Sequence, residues 1–285
     1  MSNFITTAFI DEFRAGIDML AQQEMSRLRS GVRVETVRGE REAFDQLGLT
    51  AMSKRTGRHV DTAYTDTPHE RRWVIPDAYD VADLVDVPDR LKVLNDPTNE
   101  YSRSFAMAAG RQIDDVIVAA FNATATTGGD GTPGATPFTP GNVIAHGSAG
   151  LTIDKILNAK EILDENEEMD GDRWAVISAR QFRDLLSLVE VTSADFNTVR
   201  ALTSGRVDGF LGFNFVRSER LPAVTTTRST FFWQKSAMLL GEAQNGTATI
   251  DRLPQKRNSM QVLYQMQIGA TRMRETGVVE VECSE

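Results

Sequence analysis

Cysteine is nearly missing from these 285 residues. The one thiol, Cys283, excludes an internal disulfide or a thiolate metal cluster, and its place near the end suits a small buried apolar side chain better than a nucleophile. Histidine is scarce too, with three in all. His59 and His69 flank one turn-rich segment, but two imidazoles without further ligands fall short of a structural metal site. No apolar run approaches the roughly 20 residues that span a bilayer, and the opening residues lack a charged-then-apolar leader. The expectation is therefore a chain that is neither inserted nor secreted. Positive charge is in deficit: the formal net charge of −9 opposes general affinity for phosphate backbones.

The motifs of common chemistries are missing as well. Gly128 to Gly141 is rich in glycine but has no lysine to meet a nucleotide phosphate. Ser148, in His146-Gly-Ser-Ala-Gly150, lies outside the glycine-x-serine-x-glycine pattern and follows no strand. Asp164, Asn166 and Glu168 have the alternate acidic spacing of a calcium loop, yet Met169 stands where that loop needs glycine, so a solvated helix end is expected. No catalytic constellation emerges. Neither enzymatic activity nor a cofactor or metal is expected, and a chain of this length without a site reads as one built to contact other chains.

The strongest positive signal lies between Asp96 and Thr124. Asp96 can cap a helix, Pro97 suits its first position, and Glu100 suits the positive end of its dipole. Phe105, Ala109, Ile113, Val116, Ile117, Ala120 and Phe121 then recur at helical spacing, while Arg103, Arg111, Asp114 and Asp115 fall mostly elsewhere. At 1.5 Å per residue this predicts a strut roughly 40 Å long, ended by Gly128 and Gly129. Gly110 within it costs about 1 kcal/mol relative to alanine; close packing by a neighbour is one explanation, and a tolerated cost is the preferred one.

Before this helix, Phe9, Phe13, Ile17 and Leu20 form an amphipathic stripe, followed by a basic stretch that alternates at Val32, Val34 and Thr36 like a strand. Phe44, Leu47, Leu49 and Met52 then lead outward, and Trp73, Ile75, Tyr79 and Val81 lead back. Between them Ser53 to Pro68 is polar and turn-rich, a hairpin whose tip has no core of its own to enter. Loops of that length are commonly functional, and here the function would be reaching onto a partner. A short helix is expected after Pro88.

After the long helix, 126–150 has the composition of an exposed loop. Thr152 to Glu168 reads as a helix and Trp174 to Ile177 as a buried strand. Ser178 with Gln181 makes a capping box for a helix on Phe182, Leu185, Leu186 and Val189. Asp195 to Leu202 reads as a further short helix. Strands follow at 211–216, 230–233, 238–240, 247–250, 262–268 and 278–281. The fold class is mixed α+β.

Several stretches resemble the major capsid proteins of tailed bacteriophages with the Hong Kong 97-type fold. They are Thr192-Ser-Ala-Asp-Phe-Asn-Thr-Val-Arg-Ala-Leu202, Phe210-Leu-Gly-Phe-Asn-Phe-Val-Arg-Ser-Glu-Arg-Leu-Pro222, Gly269-Ala-Thr-Arg-Met273, Asp96-Pro-Thr-Asn-Glu-Tyr101 and Ile5-Thr-Thr-Ala-Phe9. The resemblance implies an N-terminal arm over 1–40, an extended E-loop hairpin over 41–84, a peripheral domain with the spine helix over 85–125 and 251–285, and an axial domain over 126–250. It further implies a virion shell protein, assembled in the host cytoplasm as hexamers and pentamers around double-stranded DNA that is held weakly and without sequence specificity. A separate scaffolding protein, a portal, a decoration protein where one is used, and no membrane complete the implied partners. A bacterial nanocompartment shell is the nearest alternative, and a hydrolase in the α/β block the remote one. Covalent joining through Lys54 is not assigned, because no partner asparagine or acid can be named.

The residues expected at subunit contacts are Phe9, Phe13, Ile17 and Leu20 on the arm, and Lys54, Arg55, Arg58, Arg71 and Arg72 on or beside the hairpin tip. Asp114 and Asp115 on the spine helix are the preferred acidic partners. Asp164, Glu165, Glu167 and Glu168 form a second acidic group.

Overall fold

The structure is a computed structural model, and it describes residues 23, 25–54, 57–58, 61–62, 64–85, 98–129, 134–187 and 211–285. In chain order its strands begin with β1 (Arg33–Thr36), β2 (Glu42–Leu47), β3 (His69–Val74) and β4 (Asp77–Val85), and the long helix α1 (Thr98–Asn122) follows. Then come β5 (Ala125–Thr127), β6 (Gly134–Thr136), β7 (Val143–Ile144), helix α2 (Ile153–Glu165), β8 (Arg173–Ile177) and helix α3 (Ala179–Ser187). The chain closes with β9 (Phe213–Arg217), β10 (Ala223–Val224), β11 (Thr227–Gln234), β12 (Met238–Leu253), β13 (Ser259–Arg272) and β14 (Val278–Ser284). This is the mixed α+β composition expected. The short helices expected after Pro88 and at Asp195 to Leu202, and the cap expected at Asp96, lie outside the described residues.

Contacts group the chain into two compact units. One holds the described residues of 77–112 and 244–267 together with 23, 25 and 26, so it contains β4, the first part of α1 and the adjoining parts of β12 and β13. The β12–β13 connection is five residues long, a 3₁₀ turn over Pro254–Lys256 followed by Arg257 and Asn258, both at positive φ. Gly110 belongs here. A Cβ at that position would lie 2.9 Å from Ser26 N and 3.0 Å from the Met25 carbonyl carbon, so close backbone approach requires the glycine. Of the two explanations weighed for this glycine, close packing therefore holds and the preferred one, a tolerated cost, is corrected.

The other unit holds 27–76, 113–243 and 268–285. Its main sheet has the order β7-β14-β11-β8-β9, with β10 added to β11. β8 and β9 are parallel, whereas β11 runs antiparallel to both β8 and β14. Alternation along β11 divides its side chains between two faces. Phe232 enters the core with Phe213, Ile156, Leu163, Leu185, Val279 and Val281. Phe231 and Trp233 instead meet Phe121 from the end of α1, with ring centroids 4.7 Å away in each case. Cys283 is buried in the Phe232 core as a small apolar residue, as expected.

The capping box at Ser178 and Gln181 forms reciprocally, Ser178 N–H donating to Gln181 Oε1 at 2.9 Å and Gln181 N–H to Ser178 Oγ at 3.1 Å. By contrast 126–150 is not simply an exposed loop. β5 and β6 extend the hairpin sheet in the order β2-β3-β5-β6, and β7 pairs with β14. The Asn142 side chain is buried and donates to the carbonyls of Glu275 and Val278.

Candidate assembly interface

The hairpin pairs over six residues, from Glu42 opposite Val74 to Leu47 opposite His69. Beyond Leu47 no strand forms among the described residues until His69, so the outgoing arm stops short of Leu49 and Met52, which the apolar spacing had included. Leu49 is 95% exposed, Met52 fully so and Tyr64 94%, leaving a connecting segment with unburied apolar side chains. Lys54 and Arg58 are exposed on the same segment, while Arg55 lies outside the described residues, as do Phe9, Phe13, Ile17 and Leu20.

Two of the arginines expected at the tip act within the subunit. Arg71 stands directly across the ladder from Asp45 and pairs with it at 2.6 Å, and that hydrogen bond holds the Asp45 carboxyl below its usual range. Arg72, one residue on, points to the other face and is buried. Its Nε donates to the Met273 carbonyl at 3.0 Å and its Nη1 to Thr136 Oγ1 at 3.2 Å, with Glu70 and Glu275 each 3.6 Å from Nη2. A guanidinium so enclosed cannot face a neighbour, which removes Arg72 from the contact residues.

The spine carboxylates are likewise engaged. Asp114 is 0% exposed, on the same inward side of α1 as Ile117 and Phe121. Its oxygens accept the backbone N–H groups of Arg27 and Leu28 at 3.1 Å, fixing the chain just ahead of the 3₁₀ turn Arg29–Gly31. Its carboxylate is spent within the chain, so Asp114 is corrected from an exposed partner to a buried anchor. Asp115 remains half-buried and forms a two-pronged pair with Arg220, which raises the Arg220 pKa further.

The second acidic group divides in two. Asp164 pairs with buried Arg173 at 2.6 Å, and Glu168, its side chain nearly enclosed, pairs with Arg274 at 2.7 Å and accepts from Thr276 at 2.8 Å. The solvated helix end expected here is therefore a built ion-pair cluster at Asp164 and Glu168, and Glu165 and Glu167 are the members of the group that stay exposed with no salt bridge among the described residues.

Sequence reasoning missed the buried cations. Lys155 Nζ lies 2.9–3.0 Å from the carbonyls of His146, Ala149, Gly150 and Glu282, tying the preceding loop to β14, and burial pushes its pKa down. Arg272 donates to the carbonyls of Phe121 and Ala123 at the end of α1 and to Glu275 at 2.5 Å. A basic residue among apolar neighbours, on helix α2 for Lys155 and at the end of strand β13 for Arg272, is the only sequence trace of either. His146 Nδ1 accepts the N–H of Ser148, and no group of three metal-ligating side chains occurs among the described residues.

A family model described as phage capsid protein matches residues 5–285. No curated protein matches the chain. Among solved structures, the capsid of cyanophage Pam1 superposes with a TM-score of 0.75 at 14% identity, covering 100% of this chain and 99% of that one. The capsid of cyanophage P-SCSP1u gives 0.73 at 17% identity, covering 98% and 94%, and Mycobacterium phage Che8 gives 0.65 at 19%, covering 96% and 97%. At these identities the likeness is one of fold.

Proposed function

This chain belongs to the phage capsid protein family, and from that premise we propose how its surface serves as a building block. It is a major capsid protein of the Hong Kong 97-type fold, a structural subunit of the virion shell. On our reading the copies associate as hexamers and pentamers around double-stranded DNA, with arm, E-loop, peripheral and axial domains at the boundaries expected from the sequence. Scaffolding, portal and decoration proteins belong to the same proposal, as does assembly in the host cytoplasm. A nanocompartment around an enzyme is not favoured, because the family matched over nearly the whole chain is that of phage capsids.

The observation that carries the contact mechanism is the hairpin. Its connecting segment exposes Leu49, Met52 and Tyr64 together with Lys54, a mixture a lone soluble subunit has no use for. We read this segment as lying on a neighbouring copy, and identical heterologous contacts of that kind close into rings. The electrostatic part is smaller: exposed ion pairs contribute about 0–1 kcal/mol each, though the contact recurs throughout a shell.

Electron microscopy of the purified full chain, alone and with its scaffolding protein, is expected to show closed shells. Small monodisperse subunits under every condition would overturn the reading. Lys54→Glu with Arg58→Glu is expected to lower particle yield and leave the subunit melting temperature unchanged. An unchanged yield would remove the charge contribution, and a large fall in melting temperature would place these residues inside the subunit.

A further inference from the structure

This inference rests on the reading that the hairpin contacts a neighbouring copy, and it concerns the surface that receives it. Asp114 is buried and Asp115 is paired with Arg220, so neither spine carboxylate is free to meet a cation from outside. Within the larger unit a groove of about 580 Å³ opens beside the base of the hairpin, between Leu47 and Leu49 on one side and the end of α2 on the other. Leu47, Leu49 and Met169 line it with exposed apolar surface. Glu70, Glu165 and Glu167 add exposed carboxylates, and its polar back is closed by the Glu168–Arg274 pair.

Two features distinguish this groove from ordinary solvated surface. The apolar side chains are large and nearly unshielded, which marks a protein contact more than a chance leucine would. Glu165 and Glu167 also sit at the negative end of the α2 dipole, where carboxylates are unfavourable and where the last turn supplies no basic residue. An occupant that relieves both must bring an apolar side chain and a cation within a few residues. The connecting segment of the hairpin has that composition, with Met52 fully exposed and Lys54 exposed two residues later.

We infer that this groove is the seat for the hairpin tip of a second copy, Met52 packing on Leu49 and Met169 while Lys54 meets Glu165 and Glu167. Met52 and Lys54 are given to one neighbour while Leu49 and the end of α2 receive the hairpin of another, so the contact is heterologous and repeats around a ring. The apolar part supplies adhesion, and the charges suppress wrong registers, because like charges brought together cost more than a surface pair returns.

The direct test is a disulfide between copies of the full chain carrying both Met52→Cys and Met169→Cys. Cys283 is buried and stays silent. Mild oxidation of assembled particles is expected to give a ladder of linked subunits on a non-reducing gel, absent from either single variant. Particles in which both introduced thiols react with a maleimide but form no ladder would overturn the proposal. Independently, Glu165→Lys with Glu167→Lys is expected to cut particle yield roughly tenfold or more, since it sets cation against cation. It should leave the subunit melting temperature unchanged or raised, and adding Lys54→Glu and Arg58→Glu should restore yield. Normal assembly of the groove variant, with assembly of the Lys54→Glu, Arg58→Glu variant still impaired, would sink the groove and spare the hairpin reading. No effect from either pair, with no ladder, would sink both.

Discussion

Asp114 holds the N–H groups of Arg27 and Leu28 with both carboxylate oxygens from a position with no solvent access. Oδ1 alone reaches both donors, so an asparagine could keep them, whereas Asp114→Ala removes every acceptor at once. The N–H groups of Arg27 and Leu28 then lose this partner, for which the expected cost is about 1–3 kcal/mol in denaturant unfolding of the subunit. No loss of stability would mean that water replaces the bond. Cys283 makes a second prediction at this scale. Burial pushes its thiol from 9.0 up to about 11, with Lys155 acting against the rise. The folded state thus favours the neutral thiol. This contribution is fully present below pH 9, where the thiol is protonated in both states, and is lost as pH rises through about 11. Its ceiling is about 3 kcal/mol, and comparing wild type with Cys283→Ala removes the groups that titrate alike in both, leaving the thiol together with its coupling to Lys155. The stability gap between the two should shift against wild type only above pH 9; a gap constant to pH 11 would show that the thiol ionises freely. Asp114 also marks a limit of sequence reading: helical periodicity counts apolar residues, so a carboxylate on the inward face is assigned outward by default.

At the scale of elements, α1 tests how packing competes with propensity. Alanine at position 110 would gain about 1 kcal/mol of helix propensity. Its Cβ would however fall about 3 Å from the backbone of Met25 and Ser26, which cannot give way as a flexible side chain does. Gly110→Ala is therefore expected to lower the melting temperature or to expose the chain near Ser26 to proteolysis, and a stabilised subunit with unchanged cleavage would refute the close approach. The helix itself was readable because Phe105, Ala109, Ile117 and Phe121 repeat locally, and the Ser178 cap because both its partners lie three residues apart. β5, β6 and β7 were not. Each has two or three residues and exists because a distant strand pairs with it, β7 with β14 and β5 with β3, so composition alone shows a loop. The same limit applies to the candidate site. The hairpin and its basic tip could be seen in the sequence, but whether an arginine such as Arg72 faces solvent or Met273 is decided by strand parity and by a segment some 200 residues away.

At the scale of the whole molecule, the net charge of −9 acts on two processes with opposite salt dependence. Bringing many copies together concentrates like charge, and this repulsion is screened over a Debye length of about 8 Å at physiological ionic strength. The proposed hairpin contact is screened too, but only in its charged part, because burial of Leu49, Met52 and Met169 does not depend on salt in that way. Repulsion between subunits acts over more charges and longer distances than one lysine facing two glutamates, so it should dominate at low salt. Particle yield is therefore expected to rise from low salt to about 0.15 M and then level off, as followed by light scattering. A steady fall across that range would mean that ion pairs, rather than apolar contacts, hold the copies together. DNA affinity should run the other way. An acidic chain neutralises few phosphates, so duplex binding should be no tighter than about micromolar at physiological salt, weaken further as salt rises, and show no sequence preference. Gel-shift titrations of the unassembled subunit against unrelated duplexes would measure this, and nanomolar sequence-selective binding at physiological salt would show that a local basic surface overrides the net charge.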